Sequence, residues 1–101
     1  PEPEWSHSTR WLSVCAIRPD AAGINTLELI KRLSADMIEA RPLWKPMHLQ
    51  PVFGNCRYFA HSEDSVSDYL FERGICLPSG SNMSEESLER VINSLRRWLS
   101  V

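Results

Sequence analysis

The chain has 101 residues, 43% of them hydrophobic and 24% charged, with a formal net charge of −2 and a pI near 5.9. That composition suits one small globular domain able to bury a modest core. Scattered basic residues on a mildly acidic chain exclude nucleic-acid binding as the leading reading, and no apolar run approaches the length of a bilayer span.

In chain order, Pro1 to Arg10 is polar with two prolines and reads as a lead-in. Arg10-Trp11-Leu12-Ser13-Val14-Cys15-Ala16-Ile17 is rich in apolar, aromatic and β-branched residues and closes on Arg18-Pro19-Asp20, which predicts a strand ended by turn chemistry. Its apolar residues occupy both parities, so both faces are expected to be at least partly covered. Asn25-Thr26-Leu27-Glu28 reads as a capping box, with Asn25 as N-cap and Glu28 reaching back. Leu27, Ile30 and Leu33, flanked by Leu29, recur at helical spacing and predict a helix from about Thr26 to Ala35. Met37 to Arg41 suits a second short strand.

The segment Ile38-Glu39-Ala40-Arg41-Pro42-Leu43-Trp44-Lys45-Pro46-Met47-His48-Leu49-Gln50-Pro51-Val52-Phe53 follows. Its prolines fix φ and push their predecessors into extended backbone, so it cannot be a helix. We read it as a stiff, irregular arm carrying four chemically able groups: Glu39, Arg41, Lys45 and His48. Gly54-Asn55 marks a loop tip. A second helix is expected after Ser62 as N-cap, with Glu63 and Asp64 in its first turn and Val66, Tyr69 and Leu70 on one face. Gly74 is placed to stop it as a C-terminal glycine. Ile75-Cys76-Leu77-Pro78 predicts a very short strand, and Ser79 to Asn82 a loop.

The last element is the clearest. Ser84 caps, Glu85 and Glu86 favour a helix N-terminus, and Leu88, Val91, Ile92, Leu95, Trp98 and Leu99 form one stripe. Full burial of that stripe is worth about 10 kcal/mol before chain entropy is counted. The resulting order is strand, helix, strand, arm, helix, strand, helix. This predicts an α+β fold in which a small mixed or antiparallel sheet of about three short strands packs against three helices.

Several constellations invite a chemical reading. Glu39 and Arg41 straddle one residue and share a face of an extended segment; spacing favours a partly solvated ion pair over an anion site. His48 suits a general base, a ligand contact or a structural histidine equally by type, and spacing alone favours the structural role. A Schiff-base role for Lys45 needs burial, and a solvated lysine lying along Trp44 is the simpler reading. Pro42 and Pro46 are four apart, which does not fit a polyproline ligand for SH3 domains. Three scattered histidines make no metal site. Cys15, Cys56 and Cys76 lack C-x-x-C spacing and read as buried free thiols in a reducing compartment. With no secretion-type leader in view, the expected setting is soluble and cytoplasmic.

Three ordered segments resemble the C-terminal part of the DegT/DnrJ/StrS family of pyridoxal-phosphate-dependent nucleotide-sugar aminotransferases. They are Trp11-Leu12-Ser13-Val14; Ile38-Glu39-Ala40-Arg41-Pro42-Leu43-Trp44-Lys45-Pro46-Met47-His48; and Gly74-Ile75-Cys76-Leu77-Pro78-Ser79-Gly80-Ser81 followed by Ser84-Glu85-Glu86 and Arg90-Val91-Ile92. The arm looks most like members that aminate a 4-keto-6-deoxy UDP-amino sugar, the bacillosamine-type branch. The resemblance implies that residues 1–101 are the single small C-terminal domain of an aspartate-aminotransferase-type fold, without the large pyridoxal-phosphate domain. The Schiff-base lysine, the pyridinium carboxylate and the phosphate cradle belong to that large domain. The chain is therefore expected to hold no cofactor or metal and to carry no catalytic residue of its own.

In a complete enzyme of this kind the arm borders the active-site mouth. The resemblance then assigns His48 a contact with the nucleotide-sugar substrate, as hydrogen-bond donor, and Arg41 one with an anionic group of substrate or amino donor. The alternative is a free-standing, non-catalytic protein derived from this domain, acting as an oligomerising or partner-binding module. Either way, Trp11, Trp44 and Phe53 are expected to be left uncovered, which favours a homodimer or larger assembly.

Overall fold

The computed structural model describes residues 2–9, 11–61 and 63–99. Its elements are β1 (Ser13–Ala16), α1 (Pro19–Ala22), α2 (Thr26–Ala35), β2 (Arg41–Pro42), α3 (Val66–Arg73), β3 (Gly74–Leu77) and α4 (Glu85–Leu99). Two 3₁₀ turns, Met47–Leu49 and Pro51–Phe53, shape the arm. The strands form one antiparallel sheet in the order β1-β3-β2, with Val14 opposite Cys76 and Cys76 opposite Arg41. The expected α+β architecture is present, with a fourth helix because Pro19 turns the post-strand bend into the single turn α1, closed by Gly23 at φ 64°.

α2 spans the predicted residues, and Asn25 caps it by accepting from the Glu28 amide at 2.9 Å. Glu28 does not reach back; its carboxylate takes the Arg32 guanidinium one turn on, at 3.1 Å. The buried face of α2 is Thr26, Leu29 and Leu33, while Leu27 points to solvent at 64% exposure. The expected stripe is therefore rotated, because Leu27, Leu29 and Ile30 offer two apolar faces and only packing chooses between them. Leu29, Leu33 and Ile75 are completely buried and centre a core completed by Ile17, Ile24, Ile38 and Val91. Each such side chain contributes roughly 1.5–3 kcal/mol.

Other expectations are corrected. The second strand does not begin at Met37: that residue takes a left-handed φ of 60° to leave α2, Ile38 drops into the core, and pairing starts at Arg41. β1 is exposed along its whole length rather than covered on both faces, because α2 and α3 pack on β2 and β3 instead. Arg10, expected to open that strand, and Ser62, expected to cap the second helix, lie outside the described residues. α3 starts later, capped by Ser65, whose hydroxyl accepts from the Asp68 amide at 3.3 Å. Its expected apolar face of Val66, Tyr69 and Leu70 stands exposed. In α4 the stripe is covered at four of its six positions: Val91 is buried and Leu95, Trp98 and Leu99 pack on the core, whereas Leu88 and Ile92 are exposed. Cys15 and Cys56 are exposed and Cys76 half-buried, all three free, so the thiols are not the buried set expected.

Gly74 ends α3, but in extended backbone (φ −81°, ψ 138°) rather than as a left-handed cap. Glycine is required there by contact: a Cβ would lie 1.8 Å from Leu43 Cδ1 and 2.4 Å from the Leu70 carbonyl oxygen. This close approach seats the arm against the α3–β3 corner, where the Leu43 amide donates to the Gly74 carbonyl at 3.3 Å.

The chain exposes 8349 Å², whereas a compact 11.6 kDa protein exposes roughly 5,800 Å². Its radius of gyration is 16.0 Å, against about 13 Å for a compact domain of this length. Residues 2–9, almost wholly exposed, account for part of the difference. The rest reflects uncovered sheet, arm and helix faces.

Candidate functional site

β3 alternates. Ile75 and Leu77 face the core, while Cys76, opposite Val14 and Arg41, faces an open groove of about 670 Å³. Trp11 and Trp44 form its aromatic wall, their ring centroids 5.9 Å apart and tilted by 37°. Both are largely exposed, at 71% and 63%; Phe53, expected with them, is half-buried in its 3₁₀ turn. Arg41 lines the groove and donates through Nε to Glu39 Oε1 at 2.8 Å. The ion pair favoured from spacing therefore forms, and both partners are well exposed. A pair so solvated is worth little, so an incoming anion competes for the guanidinium at small cost.

His48 lies elsewhere, outside the residues that line the groove. Pro46 enters the first 3₁₀ turn in extended backbone, the Gln50 backbone N–H closes it on the Met47 carbonyl at 3.0 Å, and the Gln50 side-chain amide donates to the Lys45 carbonyl at 3.2 Å. This presents the His48 ring to α3, where Nε2 meets Asp68 Oδ1 at 2.7 Å. The ring also stacks on Tyr58, with centroids 3.7 Å apart and planes 17° apart. The Tyr58 hydroxyl bonds the Ser65 hydroxyl at 2.9 Å, and Ser65 is the cap of α3. The two sequence-predicted site residues thus belong to separate constellations on one arm. Asp68 and Tyr58 were missed because neither carries a sequence signal: Asp68 is one more acid inside the expected second helix, and Tyr58 sits in an irregular stretch.

A third constellation is structural. Asp36, at the end of α2, accepts from Ser94, from Trp98 Nε1 at 2.9 Å and from Arg97, while Arg90 donates to its backbone carbonyl. These hydrogen bonds, Ser94 and Trp98 foremost and then Arg97, lower its pKa to about 2. The neighbouring cavity of about 650 Å³ has both arginines engaged in this tie between α2 and α4, and Glu86 and Glu89 on its rim.

The residues present do not fit the anchoring of pyridoxal phosphate, the cofactor the resemblance implies. Lys31 and Lys45 are the chain's two lysines; both stand exposed. A Schiff-base lysine needs a desolvated setting. No cluster of metal-ligating side chains occurs among the described residues, and no helix there is long and apolar enough to cross a membrane.

The model of the DegT/DnrJ/EryC1/StrS aminotransferase family matches residues 1–96. The chain is 46% identical over 89 residues to EpsN of Bacillus subtilis (strain 168), provisionally named a pyridoxal phosphate-dependent aminotransferase. It is 31% identical over 72 residues to the GDP-perosamine synthase of Caulobacter vibrioides. These matches cover 87% and 71% of the chain but 22% and 19% of the relatives. A solved structure provisionally named sugar aminotransferase Spr1654, from Streptococcus pneumoniae in its PMP-form, superposes with a TM-score of 0.69 at 19% identity. It covers 92% of this chain and 23% of that one, a likeness of fold. The chain thus spans about a fifth of the length of the proteins it matches.

Proposed function

The chain belongs to the DegT/DnrJ/EryC1/StrS aminotransferase family, and from that premise we propose that it is the small, substrate-proximal C-terminal domain of a longer nucleotide-sugar aminotransferase. The observation that carries this reading is the mismatch between surface and size: 8349 Å² exposed where roughly 5,800 Å² suffices for a compact chain. The exposed residues 2–9 supply part of that excess, and uncovered faces of the kind a protein interface buries supply the rest. The faces left open carry Trp11, Trp44, Leu88 and Ile92, which a partner domain or second subunit would cover. Alone the chain neither anchors pyridoxal phosphate nor transaminates, and the parent's remaining residues supply the lysine that does.

In the parent, which we place in the cytoplasm as a homo-oligomer, the arm reaches the substrate. Arg41 takes an anionic group of substrate or amino donor, displacing Glu39. His48 contacts the nucleotide-sugar, and the likeness of the arm to bacillosamine-type enzymes makes a 4-keto-6-deoxy UDP-amino sugar the favoured class. The test is titration of the full-length parent with a UDP-sugar. His48→Gln and Arg41→Gln are each expected to weaken binding about tenfold, one lost hydrogen bond to a polar ligand. Unchanged affinity in either variant removes that residue from the site.

A further inference from the structure

We propose that Asp68 is a positioning residue that locks His48 in its Nε2–H tautomer, so that the neutral ring offers Nδ1 as an acceptor. This inference rests on the reading that His48 faces substrate. It reverses the expected polarity of that contact from donor to acceptor.

The argument begins with the carboxylate. Asp68 Oδ1 lies 2.7 Å from His48 Nε2, and an ionised carboxylate can only accept. The ring must therefore carry its proton on Nε2, and a charge-assisted bond of this length favours that form strongly. The same logic fixes imidazole ligands at metal sites through a partner on the far nitrogen.

Ring orientation is held from two sides. Tyr58 stacks on one face at 3.7 Å, so a ring flip, which would put Cε1 where Nε2 stands, has to pass through that packing and break the Asp68 bond. The supports close into a loop: Tyr58 bonds Ser65, Ser65 accepts from the Asp68 amide, and the Asp68 carboxylate returns to His48. Each member fixes the next. Such networks hold a side chain more firmly than any single contact.

Nδ1 is left over. Among the described residues it has no hydrogen-bond partner, and Thr26 Oγ1 is the buried side-chain polar atom without one. An unpartnered Nδ1 is therefore not sealed from the surface, although the His48 side chain is only 17% exposed. A rigid, half-shielded acceptor selects a ligand group that donates, such as a sugar hydroxyl or an amine. It does not select a phosphate, which the guanidinium of Arg41 suits better.

The test is long-range proton–nitrogen NMR on the full chain, at a pH where the histidine rings are neutral, reading the two nitrogens of His48 separately. His48→Gln assigns the signals among the chain's three histidines. The exposed His61 supplies the unconstrained ratio in the same spectrum. The Nε2–H form of His48 is expected to exceed that ratio about tenfold, and Asp68→Ala to return it to the His61 value. A His48 ratio equal to that of His61, or a dominant Nδ1–H form, overturns the proposal in the wild-type spectrum alone, whatever the variant does. The ratio is read without ligand, so it stands or falls separately from the binding loss that tests His48 as a substrate contact.

Discussion

Replacing Gly74 with alanine isolates why a glycine stands at the α3–β3 corner. Its backbone is extended, so no left-handed conformation is at stake, and the shorter unfolded ensemble of an alanine chain stabilises by about 0.4–1 kcal/mol. Against this, the new Cβ meets Leu43 Cδ1 at 1.8 Å and the Leu70 carbonyl oxygen at 2.4 Å. The leucine can rotate away, whereas the carbonyl belongs to the last turn of α3 and moves only with the backbone. Overpacking of this kind costs about 1–3 kcal/mol, and the backbone contact puts it at the upper end. The expected net loss for Gly74→Ala is about 2 kcal/mol, a fall in Tm of roughly 10 °C for a chain of this size. Thermal and urea unfolding followed by circular dichroism measure it. In a Leu43→Ala background the same substitution is expected to cost about 1 kcal/mol less, the coupling of two side chains in contact. A neutral or stabilising Gly74→Ala would refute the close-approach argument. So would a Gly74→Asn variant more stable than Gly74→Ala, because asparagine helps only at a left-handed cap.

Three further outcomes follow from the geometry. Leu29→Ala is expected to destabilise by about 2–5 kcal/mol and Leu27→Ala by no more than about 0.5 kcal/mol; equal losses in denaturant unfolding would contradict the observed face of α2. Asp36 has a folded pKa of about 2, below its ordinary 3.8, so its stabilisation is complete above pH 4 or so and is lost as pH falls toward 2. Asp36→Asn should flatten the stability–pH curve in that window while lowering stability at neutral pH, and an unchanged acid limb in urea titrations would remove the tie to α4. Exposed Trp11 and Trp44 should drive association of the isolated chain, so the Trp11→Ser/Trp44→Ser double variant is expected to shift sedimentation toward monomer. Identical profiles would take those rings out of the contact.

How far the sequence could be read depended on whether a signal was local. Asn25, Ser84 and the α4 acids mark helix ends because capping is decided within four residues, and both helices begin where those residues place them. The prolines of the arm announced irregular backbone for the same reason. Burial was less legible: Leu27, Leu88 and Ile92 fit apolar helix faces by periodicity, yet this chain offers too little material to cover them. β1 reads as a covered strand and is bare, which is the same shortage seen on the sheet. Arg41 and His48 stood out by type, but the partners that define them differ in reach. Glu39 is two residues from Arg41 and visible; Asp68 is twenty residues from His48 and reached only through the fold.

The most direct test of the account is the mass of the native polypeptide that carries these residues in its source cell, taken by affinity capture, intact-mass spectrometry and peptide mapping. The account predicts a single polypeptide several times heavier than 11.6 kDa, with these peptides near its C-terminus. A native product close to 11.6 kDa would contradict it, and would leave a free-standing domain whose open faces must be explained by another partner.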